Sequence, residues 1–292
     1  AVPSAEELIP LPPGHEMDDP LAEERDMPVP GITHRYPDRA LFYVANDCAT
    51  FCRHCTRKRK VGRACGATSK TQWKLGLQYI QQHPEVRDVL ISGGDPFCLP
   101  TSDIAWLIQN LRHIKHVEVI RLGSRLLATL PYRFYDDELI KVLASAPPIF
   151  IHTHFNHPQE ISQATLCAAT RLANAGINLA NQTVLLKGIN DQGPIIEKLN
   201  HLLLLMRIRP YYLFQCDMTT STGHFRTSIQ QGLAILDYLH GRTSAMAIPR
   251  YAIDLPHGRG KVPLLPNYLL AQNSPAITLR SYTGEVCTYW EN

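Results

Sequence analysis

From Ala40 to Ile253 the chain alternates short apolar runs with amphipathic segments of helical length, and this alternation leaves few folds open. The apolar runs Ala40–Val44, Val89–Ile91, Val117–Arg121, Ile149–His152, Leu179–Leu185, Tyr211–Phe214 and Ala247–Ile253 predict buried strands. Between them Trp73–Gln82, Asp103–Leu111, Asp136–Ala144, Ser162–Ala175, Pro194–Met206 and Ile229–Leu239 predict helices. His83-Pro84 and Gly176 supply stop signals, and Pro194 sits where a first helical turn tolerates it. Strands separated by helices must run parallel, joined by right-handed crossovers. About six such units favour an α/β fold of the partial (β/α)6, TIM-like barrel kind over a flat doubly wound sheet. Residues 276–282 and 286–289, around Thr283-Gly284, predict a C-terminal β-hairpin.

Residues 1–30 have a different texture. They hold eight acidic residues, one Arg and seven Pro, and read as an extended arm that packs on the body or reaches a neighbour. The expected division is an arm over 1–30 and a barrel over 31–292. The net charge of +3 in 292 residues does not point to nucleic acid. The longest aliphatic run, Leu202–Met206, is too short to span a bilayer, and no secretory leader is visible. Eight cysteines, five of them scattered singly, suit a reducing compartment, so a cytoplasmic protein without membrane or nucleic-acid partners is expected.

The other three cysteines stand at C-x3-C-x2-C spacing, Cys48, Cys52 and Cys55, just after the first strand. Zinc usually takes a second pair of Cys or His, and none is in sight. An iron–sulfur cluster normally takes four thiolates. Three from one tight loop leave one iron open to a small molecule, which suits chemistry at the cluster.

In parallel α/β folds, ligand groups gather at the carboxyl ends of strands. Here those ends carry the cysteines, Ser92-Gly93-Gly94-Asp95, Gly123-Ser124-Arg125, His152 to His157, Asn181-Gln182, Gln215-Cys216-Asp217, and Asp254 followed by Gly258-Arg259-Gly260-Lys261. Gly93-Gly94 permits close approach of a ligand, and Asp95 offers an acceptor for an amino group. His154 reads as an acid–base group, a ligand contact or a core histidine. Lys261 reads as a Schiff-base lysine or a solvated one. Asp217 and Asp254 together favour a cationic substrate group. Arg53, Arg57, Lys58, Arg59, Lys60 and Arg63 read as contacts for carboxylates and phosphates of small ligands in preference to a nucleic-acid backbone.

These residues, with His34-Arg-Tyr-Pro-Asp-Arg39, Thr153 to His157, Arg209-Pro-Tyr-Tyr212 and Gly260-Lys261, resemble the lysine 2,3-aminomutase family of radical S-adenosylmethionine enzymes from Pro28 to Tyr268. The resemblance implies a partial barrel of the radical SAM type, a [4Fe–4S] cluster, S-adenosylmethionine and pyridoxal 5′-phosphate. By position, Cys48, Cys52 and Cys55 would ligate the cluster. Gly93, Gly94, Asp95, His154 and Gln182 would line the S-adenosylmethionine site. Lys261 would hold pyridoxal phosphate through its amine, with Arg35, Tyr36 and Arg39 near the phosphate. Arg57 would meet the substrate carboxylate, and Asp217 with Asp254 the distal ammonium. The implied reaction is conversion of L-lysine to β-lysine by 2,3-migration of the amino group. It would need an electron donor such as flavodoxin or ferredoxin, and the family implies a homo-oligomer.

Arginine shares the distal cation and stays open as a substrate, whereas glutamate would be repelled by the two aspartates. Three other readings stay open: the β-lysine synthase that serves elongation factor P, a radical SAM RNA methyltransferase, and an inactive [4Fe–4S] protein. Some family members carry a C-terminal cysteine cluster for zinc; here Cys287 stands alone.

Overall fold

A computed structural model describes residues 3–62, 69–145 and 148–291. Arg63 and Cys65 lie outside the described residues. In chain order the elements are β1 (Ile32–Tyr36), β2 (Arg39–Ala45), α1 (Lys70–Gln82), β3 (Asp88–Gly93), α2 (Thr101–His113), β4 (Val119–Gly123), α3 (Leu126–Thr129), α4 (Asp137–Ala144), β5 (Ile149–Thr153), α5 (Gln163–Asn174), β6 (Asn178–Leu185), α6 (Gly193–Leu205), β7 (Ile208–Gln215), α7 (Ile229–Leu239), β8 (Arg250–Asp254), β9 (Lys261–Pro263), β10 (Leu269–Asn273), β11 (Ala276–Arg280) and β12 (Val286–Trp290).

Strands β1 to β9 form one sheet in sequence order. From β2 to β8 every neighbouring pair is parallel. Seven parallel strands make six crossovers, so the expected six-unit open barrel is present. Its two edges are closed off by antiparallel strands, β1 on β2 and β9 on β8. The period of two along each strand decides what faces inward. Val89, Ile91, Ile120, Leu122, Ile149 and Ile151 are buried in the main apolar core. Their alternates Asp88, Leu90, Ser92, Arg121, Gly123 and His152 line the interior cavity, as do Gln182 and Val184 on β6 and Tyr212 and Phe214 on β7.

Local signals set the helix ends. Ser69 and Ser162 cap α1 and α5 with reciprocal capping boxes, and Asp136 accepts from the Glu138 and Leu139 N–H groups in the first turn of α4. The strand read at Val117 begins two residues later, because Val117 N–H closes a turn onto the Ile114 carbonyl. The C-terminal hairpin, β11 with β12, is present, and β10 adds a third strand to it. β10 and β12 are exposed along their whole length, which explains why no burial pattern marked β10.

Candidate active site

The cavity inside the open barrel has a volume of about 440 Å³. Every residue that the family resemblance placed in the site lines it: Cys48, Cys52, Cys55, Arg35, Tyr36, Arg39, Arg57, Gly93, Gly94, Asp95, His154, Gln182, Asp217, Asp254 and Lys261.

The cysteine loop is fixed from below by the glycine pair. Gly94 N–H donates to the Ala45 carbonyl at 2.7 Å, and Asp95 N–H to the Asp47 carbonyl at 2.8 Å. Gly93 has a φ of +142°, and a Cβ there would stand 2.2 Å from the Ala45 oxygen; one on Gly94 would stand 2.4 Å from the Asp47 oxygen. The backbone these glycines approach is that of Ala45 and Asp47, which leads into the cysteine loop, and both glycines also line the cavity. Asp95 is occupied. Its Oδ2 accepts from Ser124 Oγ (2.9 Å) and Arg125 N–H (2.7 Å), and its Oδ1 from Phe97 N–H (3.1 Å). Burial lifts its pKa to about 6 against the pull of these bonds. Asp95 braces the loops after β3 and β4 against each other.

The three thiols face the cavity without disulfides. Burial pushes the Cys48 thiol up to about 12, with Asp95 and the other two sulfurs adding to it, and burial raises Cys55. Such thiols ionise when a metal centre takes the thiolate. Among the described residues, the His, Cys, Asp or Glu group whose donor atoms all lie within 4.8 Å of one another is His34, His83 and Glu85, so at least one pair of the three sulfurs stands farther apart than that. A single tetrahedral zinc, with bonds of about 2.3 Å, would need them closer. Donors spread over separate irons of a cluster fit better. Arg125, which had no assigned role, donates from Nη1 to Cys52 Sγ at 2.8 Å and from Nη2 to Glu160 at 2.6 Å.

The described part of the basic run pairs with the acidic arm, Arg53 with Glu7, Arg57 with Glu23, Arg59 with Asp19 and Glu24, and Lys60 with Glu24, and of these cations Arg57 also lines the cavity. The arm is also tied to the loop after β7, through Met17 N–H on the Met218 carbonyl and Thr220 N–H on the Met17 carbonyl. Glu23 was not legible as a site residue, since one carboxylate among the arm's eight carries no distinguishing pattern.

At the opposite end, Lys261 Nζ donates to both oxygens of Asp254, at 2.8 and 2.9 Å, and lies 5.0 Å from the centre of the Phe214 ring. Its side chain is 37% exposed, against 10% for Asp254. Burial and the neighbouring Asp254 raise the Asp217 pKa to about 7. Lys261 N–H donates to Tyr36 Oη at 3.2 Å, and Arg39 stacks over the Tyr36 ring at 3.9 Å. Arg35 is spent on the arm, donating to Asp26 at 2.7 Å and to the Leu21 carbonyl. Burial holds His152 and His154 down at about 3 and about 4, so both are neutral near pH 7. Gln182 reaches His152 Nδ1 at 3.3 Å, and Asn181 is a buried structural link to Phe155 and Thr183.

The sequence profile of the Radical SAM superfamily matches residues 42–196, and that of the lysine-2,3-aminomutase family matches residues 236–292. The L-lysine 2,3-aminomutase of Fusobacterium nucleatum is 44% identical over 295 residues, covering 100% of this chain and 68% of that protein. The chain belongs to the lysine 2,3-aminomutase family of radical SAM proteins. The L-lysine 2,3-aminomutase of Methanococcus maripaludis is 48% identical over 94% of this chain, and the glutamate 2,3-aminomutase of Clostridioides difficile 44% identical over 92%. The chain spans 64% and 63% of the length of these two relatives.

Solved structures agree on the fold. A radical SAM methyltransferase from Sphaerobacter thermophilus superimposes with a TM-score of 0.52 at 17% identity, covering 76% of this chain and 68% of that one. Streptococcus suis SuiB bound to S-adenosylmethionine gives 0.52 at 15%, covering 76% and 48%. Family membership brings a [4Fe–4S] cluster, S-adenosylmethionine and pyridoxal phosphate with it. The cavity offers each a matching donor set: three thiols, a glycine-floored loop, and an amine beside Tyr36 and Arg39.

Proposed function

We propose that this chain is the catalytic barrel of an aminomutase that converts L-lysine to β-lysine. One observation carries the choice of substrate: Asp217 and Asp254 lie together beside Lys261, in the same cavity as Cys48, Cys52 and Cys55. Overall identity does not choose, because lysine and glutamate enzymes match almost equally well. Two adjoining buried carboxylates repel a third and attract a cation. A distal ammonium arriving here would take over the charge that Lys261 now places on Asp254.

Bound together, the cluster with S-adenosylmethionine supplies a carbon radical, and pyridoxal phosphate supplies a carrier for the migrating nitrogen. The chain's own part is placement. Cys48, Cys52 and Cys55 hold three irons. Gly93, Gly94, His154 and Gln182 line the space above them, where a neutral His154 offers a hydrogen bond without adding charge. Asp95 acts there by bracing the walls. Lys261 presents its amine, and Tyr36 and Arg39 offer a donor and a cation for a phosphate, in preference to the committed Arg35. Arg57 faces the substrate carboxylate, and Asp217 with Asp254 fixes the far end of the chain. Holding both ends sets one carbon–hydrogen bond in reach of the radical. We assign the electrons to a small reductase such as flavodoxin or ferredoxin and the working form to a homo-oligomer, on family resemblance alone.

The test is anaerobic turnover of reconstituted protein with dithionite, both organic cofactors and L-lysine, L-arginine or L-glutamate, read by mass spectrometry. β-Lysine that disappears when either cofactor is omitted is expected. Turnover of glutamate in place of lysine would overturn the roles of Asp217 and Asp254. Asp254→Ala should weaken lysine binding far more than S-adenosylmethionine binding.

A further inference from the structure

Arg57 faces the cavity, but it is already held by an acid from the arm. Its Nε donates to both oxygens of Glu23, at 2.9 and 3.0 Å, and its Nη2 donates to Oε1 at 2.6 Å. On the other side, Nη1 donates to Ser92 Oγ at 3.0 Å and to the Gly93 carbonyl at 3.2 Å. A guanidinium has five N–H groups. Four are taken, and one on Nη2 remains. A two-pronged grip on an incoming carboxylate is therefore closed to Arg57 while Glu23 stays in place.

Glu23 is not easily displaced. Both side chains are buried, with 15% of Arg57 and 7% of Glu23 exposed. Expelling Glu23 would leave its charge in a dry place without a partner. Burial alone would raise the Glu23 pKa, yet the charge and hydrogen bonds of Arg57 hold it below the usual range. The other cations lining the cavity are also paired: Arg35 with Asp26, Arg39 with Asp38, Arg121 with Asp88, Arg125 with Glu160 and Lys261 with Asp254. What the cavity can offer an α-carboxylate thus depends on how well the last N–H of Arg57 is aimed.

We propose that Glu23 is a positioning residue for the amino-acid substrate. It locks the Arg57 guanidinium so that one Nη2 N–H points at the substrate carboxylate. This rests on the lysine reading above, and the test separates the two. The probes are L-lysine and 1,5-diaminopentane, which has the same chain and distal ammonium without the carboxylate. Their binding to cofactor-loaded protein is measured by calorimetry.

Unsubstituted protein should prefer lysine; equal binding would show that the carboxylate is not read and overturn the proposal, whereas binding of neither probe would sink the lysine reading itself. Glu23→Ala should weaken lysine by up to about a hundredfold, the loss of one hydrogen bond between charged groups, and leave 1,5-diaminopentane unchanged. Glu23→Gln, which keeps an acceptor oxygen, should lose less and in the same selective way. Glu7→Ala cuts a different stitch of the arm, away from the cavity, and should change neither ligand. Equal loss of both probes on changing Glu23 would reduce it to a structural role, and tighter lysine binding would make it a competitor for Arg57; either overturns the proposal. If Glu23→Ala does not fold, the same selectivity is read on Glu23→Gln.

Discussion

The two ends of the cavity are built in opposite ways. The cysteine end comes from one short loop after β2, floored by Gly93 and Gly94 and overlaid by an arm that pairs with its charges. The lysine end is assembled from β1, β7, β8 and β9, strands that meet only when the barrel is complete, and its key amine is more than one-third exposed. The first end draws its three sulfurs from one short stretch of chain; the second depends on long-range register. A metal cluster tolerates little misplacement of its ligands, whereas a lysine on a flexible stem reaches its partner from a looser frame.

The sharpest test of that contrast is whether the ends fail separately. Cys52→Ala should abolish stable iron binding while leaving pyridoxal phosphate content intact, and Lys261→Ala should do the reverse. Either removes turnover. Loss of iron on changing Lys261 would break the separation. Next in size is an effect of pH on the lysine end. Asp217 titrates at about 7, raised above its unfolded value by burial and Asp254. A cationic ligand favours the charged carboxylate, so lysine affinity should rise with pH up to about 7 and level off. Below that it should fall by roughly tenfold per pH unit, one proton being taken up. Asp217→Asn should flatten this slope, and calorimetry in two buffers should register proton release.

A smaller effect is expected at the floor of the other end. Gly93→Ala combines left-handed backbone with a clash, and should cost about 1–3 kcal/mol in thermal or denaturant unfolding. Iron content should drop with it and pyridoxal phosphate should not. The smallest concerns the arm's outer stitch. Glu7→Ala breaks a pair whose arginine is about one-third exposed, and should cost under about 1 kcal/mol with both cofactors retained.

The same contrast explains what the sequence made readable. Cys48, Cys52 and Cys55 speak through local spacing, and the strands through a period of two, so the barrel and one end of its site were legible. The strand-end rule then gathered Asp217, Asp254 and Lys261 into the cavity without knowledge of their contacts. Pairing was not legible. Nothing in the spacing of Glu23 and Arg57 marks them as partners, nor does anything in the sequence show that Asp95 also binds Ser124 and Arg125. Arg35 and Arg39 are equivalent on paper, yet only folding commits Arg35 to Asp26. The edge strands β1 and β9 are short and partly polar, and β10 is exposed throughout, so no burial rhythm announces them.

The seam made by the arm also orders events in time. Its docking points include the carbonyls of Met218 and His257, which receive Met17 N–H and Arg25. A ribosome makes the arm and the cysteine loop early and those carbonyls late. The ties to Met218 and His257 can therefore form only after most of the barrel has emerged, whereas the ties to Arg53, Arg57 and Arg59 join parts of the chain made close together in time.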